Sequence, residues 1–202
     1  MPISSEVQIV VARLDPGLHE ARAAARSLSQ AERSRAARFR FERDRRRFSA
    51  ARVRLRELLA ERLDALPESI EFVYGREGKP ALAERFARSG WRFNLSRCGE
   101  LAVYAFSRAG EVGVDVEAIR PVDEADAIAA RFFAPEERRA CKTSNPGDFL
   151  RIWTRKEALA KGLGDGLAVS LERLDASAPP RGWSIESFSP EPGFIGALAA
   201  QE

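Results

Sequence analysis

The sequence predicts an α+β fold of two halves built to one plan, and three observations carry that prediction. Glu6 to Pro16 (EVQIVVARLDP) lies over Glu111 to Pro121 (EVGVDVEAIRP) without a gap; both alternate apolar residues at period two and both end in proline. That alternation is the mark of a half-buried strand. The helical stretch from Phe48 (FSAARVRLRELLAERL) is echoed from Phe149 (FLRIWTRKEALAKGL), and ARFRFERDRRR before the first resembles ARFFAPEERRA before the second. Each echo recurs after about half of the 202 residues. The repeated unit is strand, then helices, then strands, packed as a pseudo-dimer, with halves at 1–107 and 108–202.

In the first half the strand within Glu6 to Pro16 is followed by helices over Ser29 to Arg40 and Asp44 to Leu63. The second of these places Phe48, Ala51, Val53, Leu55, Leu58, Leu59 and Leu63 near helical spacing. Ile70 to Tyr74 reads as a strand, YGREGKPAL as turn, and WRFNLSR and LAVYAFS as a strand pair turning at Gly99. In the second half VGVDVEAI is a strand, Glu124 to Phe133 and Pro135 to Lys142 are helical, and SNPG restarts the chain into a helix from Asp148 to Lys161. LAVSLERL, GWSIESF and GFIGALA are expected to finish it as strands.

Composition narrows the function. No window holds the roughly 18 apolar residues that a spanning helix needs, and the first apolar run alternates without a preceding basic residue. The expectation is a cytoplasmic protein off the membrane. Cys98 and Cys141 form no C-x-x-C, which excludes a cysteine zinc site and a disulfide scaffold. A single histidine, His19, removes Ser-His-Asp triads, H-E-x-x-H sites and two-histidine facial triads. Chemistry is left to carboxylates, lysine and arginine. The net charge of +3 hides an uneven distribution: Arg22 to Arg62 carries 14 arginines against five acids. Such a basic face suits nucleic acid, an anionic cofactor or an acidic protein. Only four basic residues are lysines, Lys79, Lys142, Lys156 and Lys161, a choice that favours a compact ammonium over a planar fork.

Two clusters can do chemistry. With the valines of VGVDVEAI facing one way, Asp115 and Glu117 project together from the other face, their Cα atoms about 6–7 Å apart, within reach of one divalent ion. In the last helix Trp153, Glu157 and Lys161 recur every fourth residue and share a face, with Lys156 beside them. Gly162, Gly164 and Gly166 follow and can end the helix in a tight turn. The order K-G-x-G-x-G is not that of a P-loop.

These residues resemble the 4'-phosphopantetheinyl transferases, specifically the two-half, surfactin-synthetase-activating type. The resemblance rests on G-[IV]-D-[IV]-E at Gly113 to Glu117 and on W-x-x-K-E-[AS]-x-x-K-x-x-G-x-G-L from Trp153 to Leu167. It extends to R-F-F at Arg131 to Phe133, G-K-P at Gly78 to Pro80, F-N-[IL]-S at Phe93 to Ser96, and RFRFERDRRRF. It implies two similar halves, each a small, mostly antiparallel sheet against a long helix. It also implies a monomer that moves phosphopantetheine from coenzyme A to a serine of an apo acyl or peptidyl carrier protein, an acidic partner, in a Mg2+-dependent reaction, with Mn2+ an open alternative. Asp115, Glu117 and Glu157 would hold the metal. Glu157 would take the serine proton, Lys161 would neutralise the diphosphate, and Arg35, Arg47, Lys79, Ser96, Arg97, Lys156 and Lys161 would grip coenzyme A. Glu137 matches an auxiliary acid. Arg97 departs from the pattern, standing where the resemblance expects a phosphate-contacting histidine, and Cys98 replaces a serine. Two rival readings stand beside it. One is a catalytically impaired carrier-protein-binding scaffold of the same fold, which the intact acids argue against. The other is an arginine-rich nucleic-acid binder, but Phe39, Phe41 and Phe48 alternate like core positions, and such a binder has no use for three clustered acids.

Overall fold

The computed structural model describes residues 7–14, 25–75, 78–164 and 171–202. In the first half, strand β1 (Gln8–Arg13) precedes helices α1 (Gln30–Ala37) and α2 (Glu42–Leu63), short strands β2 (Phe72–Tyr74) and β3 (Pro80–Leu82), a single turn of helix α3 (Glu84–Ala87), and strands β4 (Arg92–Cys98) and β5 (Leu101–Ser107). The second half runs β6 (Val112–Ala118), α4 (Ala125–Phe132), α5 (Pro135–Ala140), α6 (Pro146–Leu163), β7 (Trp183–Phe188) and β8 (Phe194–Gln201).

The two halves share a topology. The first sheet has the order β1-β5-β4 and the second β6-β8-β7, every pairing antiparallel, so in each the last strand lies between the first and the penultimate. A hairpin of β2 and β3 stands apart from both.

Alternation along β5 explains how the halves fit. Ala102, Tyr104 and Phe106 face Ala51, Leu55, Leu58 and Leu59 of α2, forming the first core. Leu101, Val103 and Ala105 point the other way, against Val112, Val114, Val116, Leu198 and Ala200 of the second sheet. β5 is therefore buried on both faces, and the two sheets close a shared apolar layer. On the far side α6 lies against β8 through Ala158, Leu159, Ala160, Ala197 and Ala199.

Some expected elements differ. Residues 80–82 form a strand within the stretch read as turn, because Val73 and Tyr74 pair with Ala81 and Pro80 in the hairpin. The strand expected from Ile70 begins at Phe72, since Ile70 closes a 3-10 turn at Pro67–Ser69 and its carbonyl accepts from Arg56 Nη1 at 2.7 Å. In LAVSLERL, Leu171–Arg173 is a 3-10 turn: Leu171 and Leu174, three apart, bury together, which is turn spacing and not strand spacing. Leu167 to Ser170, Gly166 and His19 lie outside the described residues. Gly162 is inside α6, and the helix ends at Gly164, with φ +83°.

Candidate active site

The site begins with a close crossing. Because Val112, Val114 and Val116 turn into the shared layer, Gly113, Asp115 and Glu117 face α6. A methyl group on Gly113 would overlap the Ala158 carbonyl oxygen and come 2.8 Å from the Cα of Gly162; one on Gly162 would meet the Trp183 ring. Glycine at both positions lets α6 lie directly on β6, so Glu157 and Lys161, one turn apart on the helix, flank the strand's acids.

The polar contacts are specific. Lys161 Nζ lies 2.6 Å from Asp115 Oδ1 and donates to Ser96 Oγ at 3.2 Å, while the Ser96 hydroxyl donates to the same Asp115 oxygen at 2.8 Å. Asp115 is 4% exposed, and among the described residues its buried Oδ2 has no hydrogen-bond partner. Burial, and then the negative charge of Asp115, push the Glu117 carboxyl above its usual range. Burial also raises Glu157; Lys161 opposes the shift, and Asp115 and Glu117 add to it. The Cys98 thiol donates to Glu117 Oε2 and accepts from the Ala118 amide, and Asn94 Oδ1 accepts from Val114 N at 3.0 Å. Strand β4 is thus stitched to β6 by side chains.

Among the described residues no three His, Cys, Asp or Glu side chains converge as a formed metal cluster. The donor set nevertheless fits a hard divalent cation: the charges of Asp115 and Glu117 both disfavour ionisation of Glu157, and one buried Asp115 oxygen has no hydrogen-bond partner among the described residues. Asp115, Glu117 and Glu157 are the residues that would hold it.

Beside these acids opens a cavity of about 260 Å3 lined by Arg35, Phe48, Arg52, Gly78, Pro80, Ser96, Arg97 and Lys161, among others. Arg97 lies over the rings of Phe39 and Phe48, both at 5.5 Å, and Arg35 over Phe48 at 5.7 Å. Burial, and then the like charge of Arg35, lower the pKa of Arg97. Two crowded guanidiniums in a half-buried pocket suit an anion of more than one charge.

Four residues expected here are placed elsewhere. Lys156 is fully buried, its ammonium 2.6 Å from Glu137 Oε2 and hydrogen-bonded to the Leu174 carbonyl, so it cannot reach a phosphate in this cavity. Glu137 is consumed in the same cluster, accepting from the amides of Ala134 and Ala176 as well; it locks α5 to α6. Arg47 Nη2 lies 3.7 Å from Glu100 at the β4–β5 turn. Lys79 turns its ammonium from the cavity toward Glu111 and Gly162.

The basic stretch is also less exposed than its composition suggests. Arg52 and Arg56 are buried, both bound to Glu32 of α1. The Arg52 Nη2 group also donates to the Tyr74 hydroxyl at 2.8 Å. A lone acid among arginines reads as surface, and the sequence marks Glu32 only by its place three residues after Ser29, where it completes a capping box.

The family model described as 4'-phosphopantetheinyl transferase superfamily matches residues 111–194, and that described as 4'-phosphopantetheinyl transferase, N-terminal matches residues 12–109. The chain is 36% identical over 211 residues to the 4'-phosphopantetheinyl transferase HetI of Nostoc sp., spanning 98% of this chain and 88% of that protein. It is 38% identical over 126 residues to the AcpT transferase of Escherichia coli K12, spanning 60% of this chain and 61% of the relative. Against the psf-1 transferase of Bacillus pumilus it is 36% identical over 151 residues, 72% and 56% of the two chains. The last two matches span less than two thirds of those relatives' own length. Matched along both halves, and carrying three carboxylates beside a cationic pocket, the chain belongs to the 4'-phosphopantetheinyl transferase superfamily.

Proposed function

We propose that the protein transfers 4'-phosphopantetheine from coenzyme A to a serine of apo acyl or peptidyl carrier proteins, releasing adenosine 3',5'-bisphosphate. It would act as a Mg2+-dependent, surfactin-synthetase-activating type of transferase, a monomer in the cytoplasm serving an acidic partner. One observation carries this reading: Ser96 and Lys161 line the cationic cavity and also bond to Asp115. An anion seated on Arg35 and Arg97 thereby has its next phosphates at the carboxylates.

In the reaction the serine hydroxyl attacks the pantetheine-side phosphorus of the coenzyme A diphosphate, a new P–O bond forms, and the bond to the nucleotide phosphate breaks. Glu157, directly or through water, takes the hydroxyl proton. Lys161 donates to the diphosphate as negative charge gathers on the leaving nucleotide, and Arg35 and Arg97 hold that nucleotide in place. A Mg2+ ion bound by Asp115, Glu117 and Glu157 would supply charge neutralisation across the two phosphates.

The test is intact-mass spectrometry of a panel of apo carrier proteins incubated with the protein, coenzyme A and Mg2+, with an EDTA control. The expected result is a phosphopantetheine adduct that EDTA abolishes. Glu157→Gln and Asp115→Ala should slow its formation about a hundredfold or more, since several kcal/mol of charge stabilisation are lost. Wild-type rates in either variant would refute the carboxylate assignment.

A further inference from the structure

Lys79 lies between two residues of the cavity wall, Gly78 and Pro80, yet its ammonium does not line that cavity. It crosses from the first half to the second and meets three acceptors: Glu111 Oε2 at 3.0 Å, the Gly162 carbonyl at 3.2 Å and the Val112 carbonyl at 3.4 Å. Three acceptors use all three ammonium protons, and the side chain is 18% exposed. The Gly162 carbonyl is one of the last four of α6, which no amide within the helix can satisfy, and a cation there also meets the negative end of the helix dipole. Gly162 directly follows Lys161. Glu111, at the entry to β6, is held from its other side by Arg92 Nε at 2.9 Å. The β2–β3 hairpin that carries Lys79 is a two-stranded sheet, which has little stability of its own.

We propose that Lys79 is a positioning residue: with Glu111 it straps the β2–β3 hairpin to the last turn of α6 and so sets the gap between the hairpin wall of the cavity and Lys161. The strap acts on the transfer step through Lys161 and leaves binding of the nucleotide to Arg35 and Arg97. This rests on the reading of the site as a phosphopantetheinyl transferase centre.

Glu111 separates this role from a phosphate grip, because the two predict opposite signs. If Lys79 gripped coenzyme A, Glu111→Gln would release its ammonium and tighten binding; if Lys79 is a strap, the same change breaks it. The experiment compares wild type, Lys79→Met, Glu111→Gln and the double variant. It reads kcat and KM for coenzyme A in carrier modification, the calorimetric Kd for coenzyme A, and hydrogen exchange of the peptide covering residues 157–164. Each single change should lower kcat about tenfold, the fold-change expected from losing a charge-assisted hydrogen bond. KM and Kd should shift less than about threefold, and the double variant should be no worse than either single one. Exchange at 157–164 should accelerate in all three. Tighter coenzyme A binding with unchanged kcat in Glu111→Gln, or unaltered exchange at 157–164, would overturn the proposal. Should Lys79→Met fail to fold, the sign in Glu111→Gln still decides. A wild-type protein that never modifies a carrier would refute the transferase reading instead, while the exchange data would still test the strap.

Discussion

Arg97 sets the electrostatic character of the cavity: its charge is permanent, and it is half-buried beside Arg35 over the Phe48 ring. A histidine at that position would titrate near pH 6.5 when unperturbed, and lower once burial and Arg35 act on it. In the wild type, residue 97 should therefore add nothing to the pH dependence of coenzyme A affinity between pH 6 and 8. In Arg97→His the KM should rise about tenfold across that range as the imidazole loses its proton. Parallel pH profiles for the two proteins would show that Arg97 makes no contact with the substrate's phosphates. The acids of the site could be placed from sequence because two periodicities suffice, period two for Asp115 with Glu117 and every fourth residue for Glu157 with Lys161. Lys156 could not be placed that way. Whether a residue beside the catalytic face reaches the cavity or the core depends on how α6 is rotated against β6, and the buried Glu137 decides it.

At the scale of elements, the crossing of α6 over β6 and the docking of α1 on α2 position the site. Gly113→Ala must push α6 off the strand, because a methyl group there meets backbone and not a flexible side chain. The expected cost is at least about 3 kcal/mol of stability, in the range of severe overpacking, with loss of the Lys161–Asp115 contact. A thermal melt at the wild-type midpoint would contradict this. The Glu32 cluster fixes α1, and with it Arg35. Burial would raise the Glu32 carboxyl, but the Ser29 amide, Arg52 and Arg56 outweigh it and hold the pKa below 4.5. A carboxyl depressed in the folded state adds stability above its unfolded pKa and loses it as pH falls through the folded one. Glu32→Gln should therefore cost about 3–5 kcal/mol at pH 7, the cost of breaking a buried ion pair. The gap from wild type should close as pH drops below 4.5; denaturant melts at a series of pH values check both points. Strand β6 was readable because its valines commit one side chain in two to the shared layer, and β5 because its near-continuous apolar run is buried on both faces. Strand β3 was not, because Pro80 and its glycine neighbours carry a turn signal that pairing with β2 overrides.

At the scale of the whole molecule, the internal echo of the sequence was an accurate guide to topology, since β1-β5-β4 and β6-β8-β7 follow one plan. What the echo could not show is that the halves depend on each other. The layer of Leu101, Val103 and Ala105 against Val112, Val114, Val116 and Leu198 has its apolar faces on opposite sides of the boundary, so separating the halves would expose both. The cavity is divided in the same way, with Arg35, Phe48, Ser96 and Arg97 before the boundary and Lys161 after it. A ligand that bridges such a site stabilises both halves together, by about 2.7 kcal/mol at a hundredfold excess over its Kd. The full chain should accordingly unfold in one calorimetric transition whose van't Hoff and calorimetric enthalpies agree, and coenzyme A with Mg2+ should move that transition as a unit. Two resolved transitions, only one of them shifted by coenzyme A, would mean that the repeat is a pair of independently folding units and that the cavity belongs to the first alone.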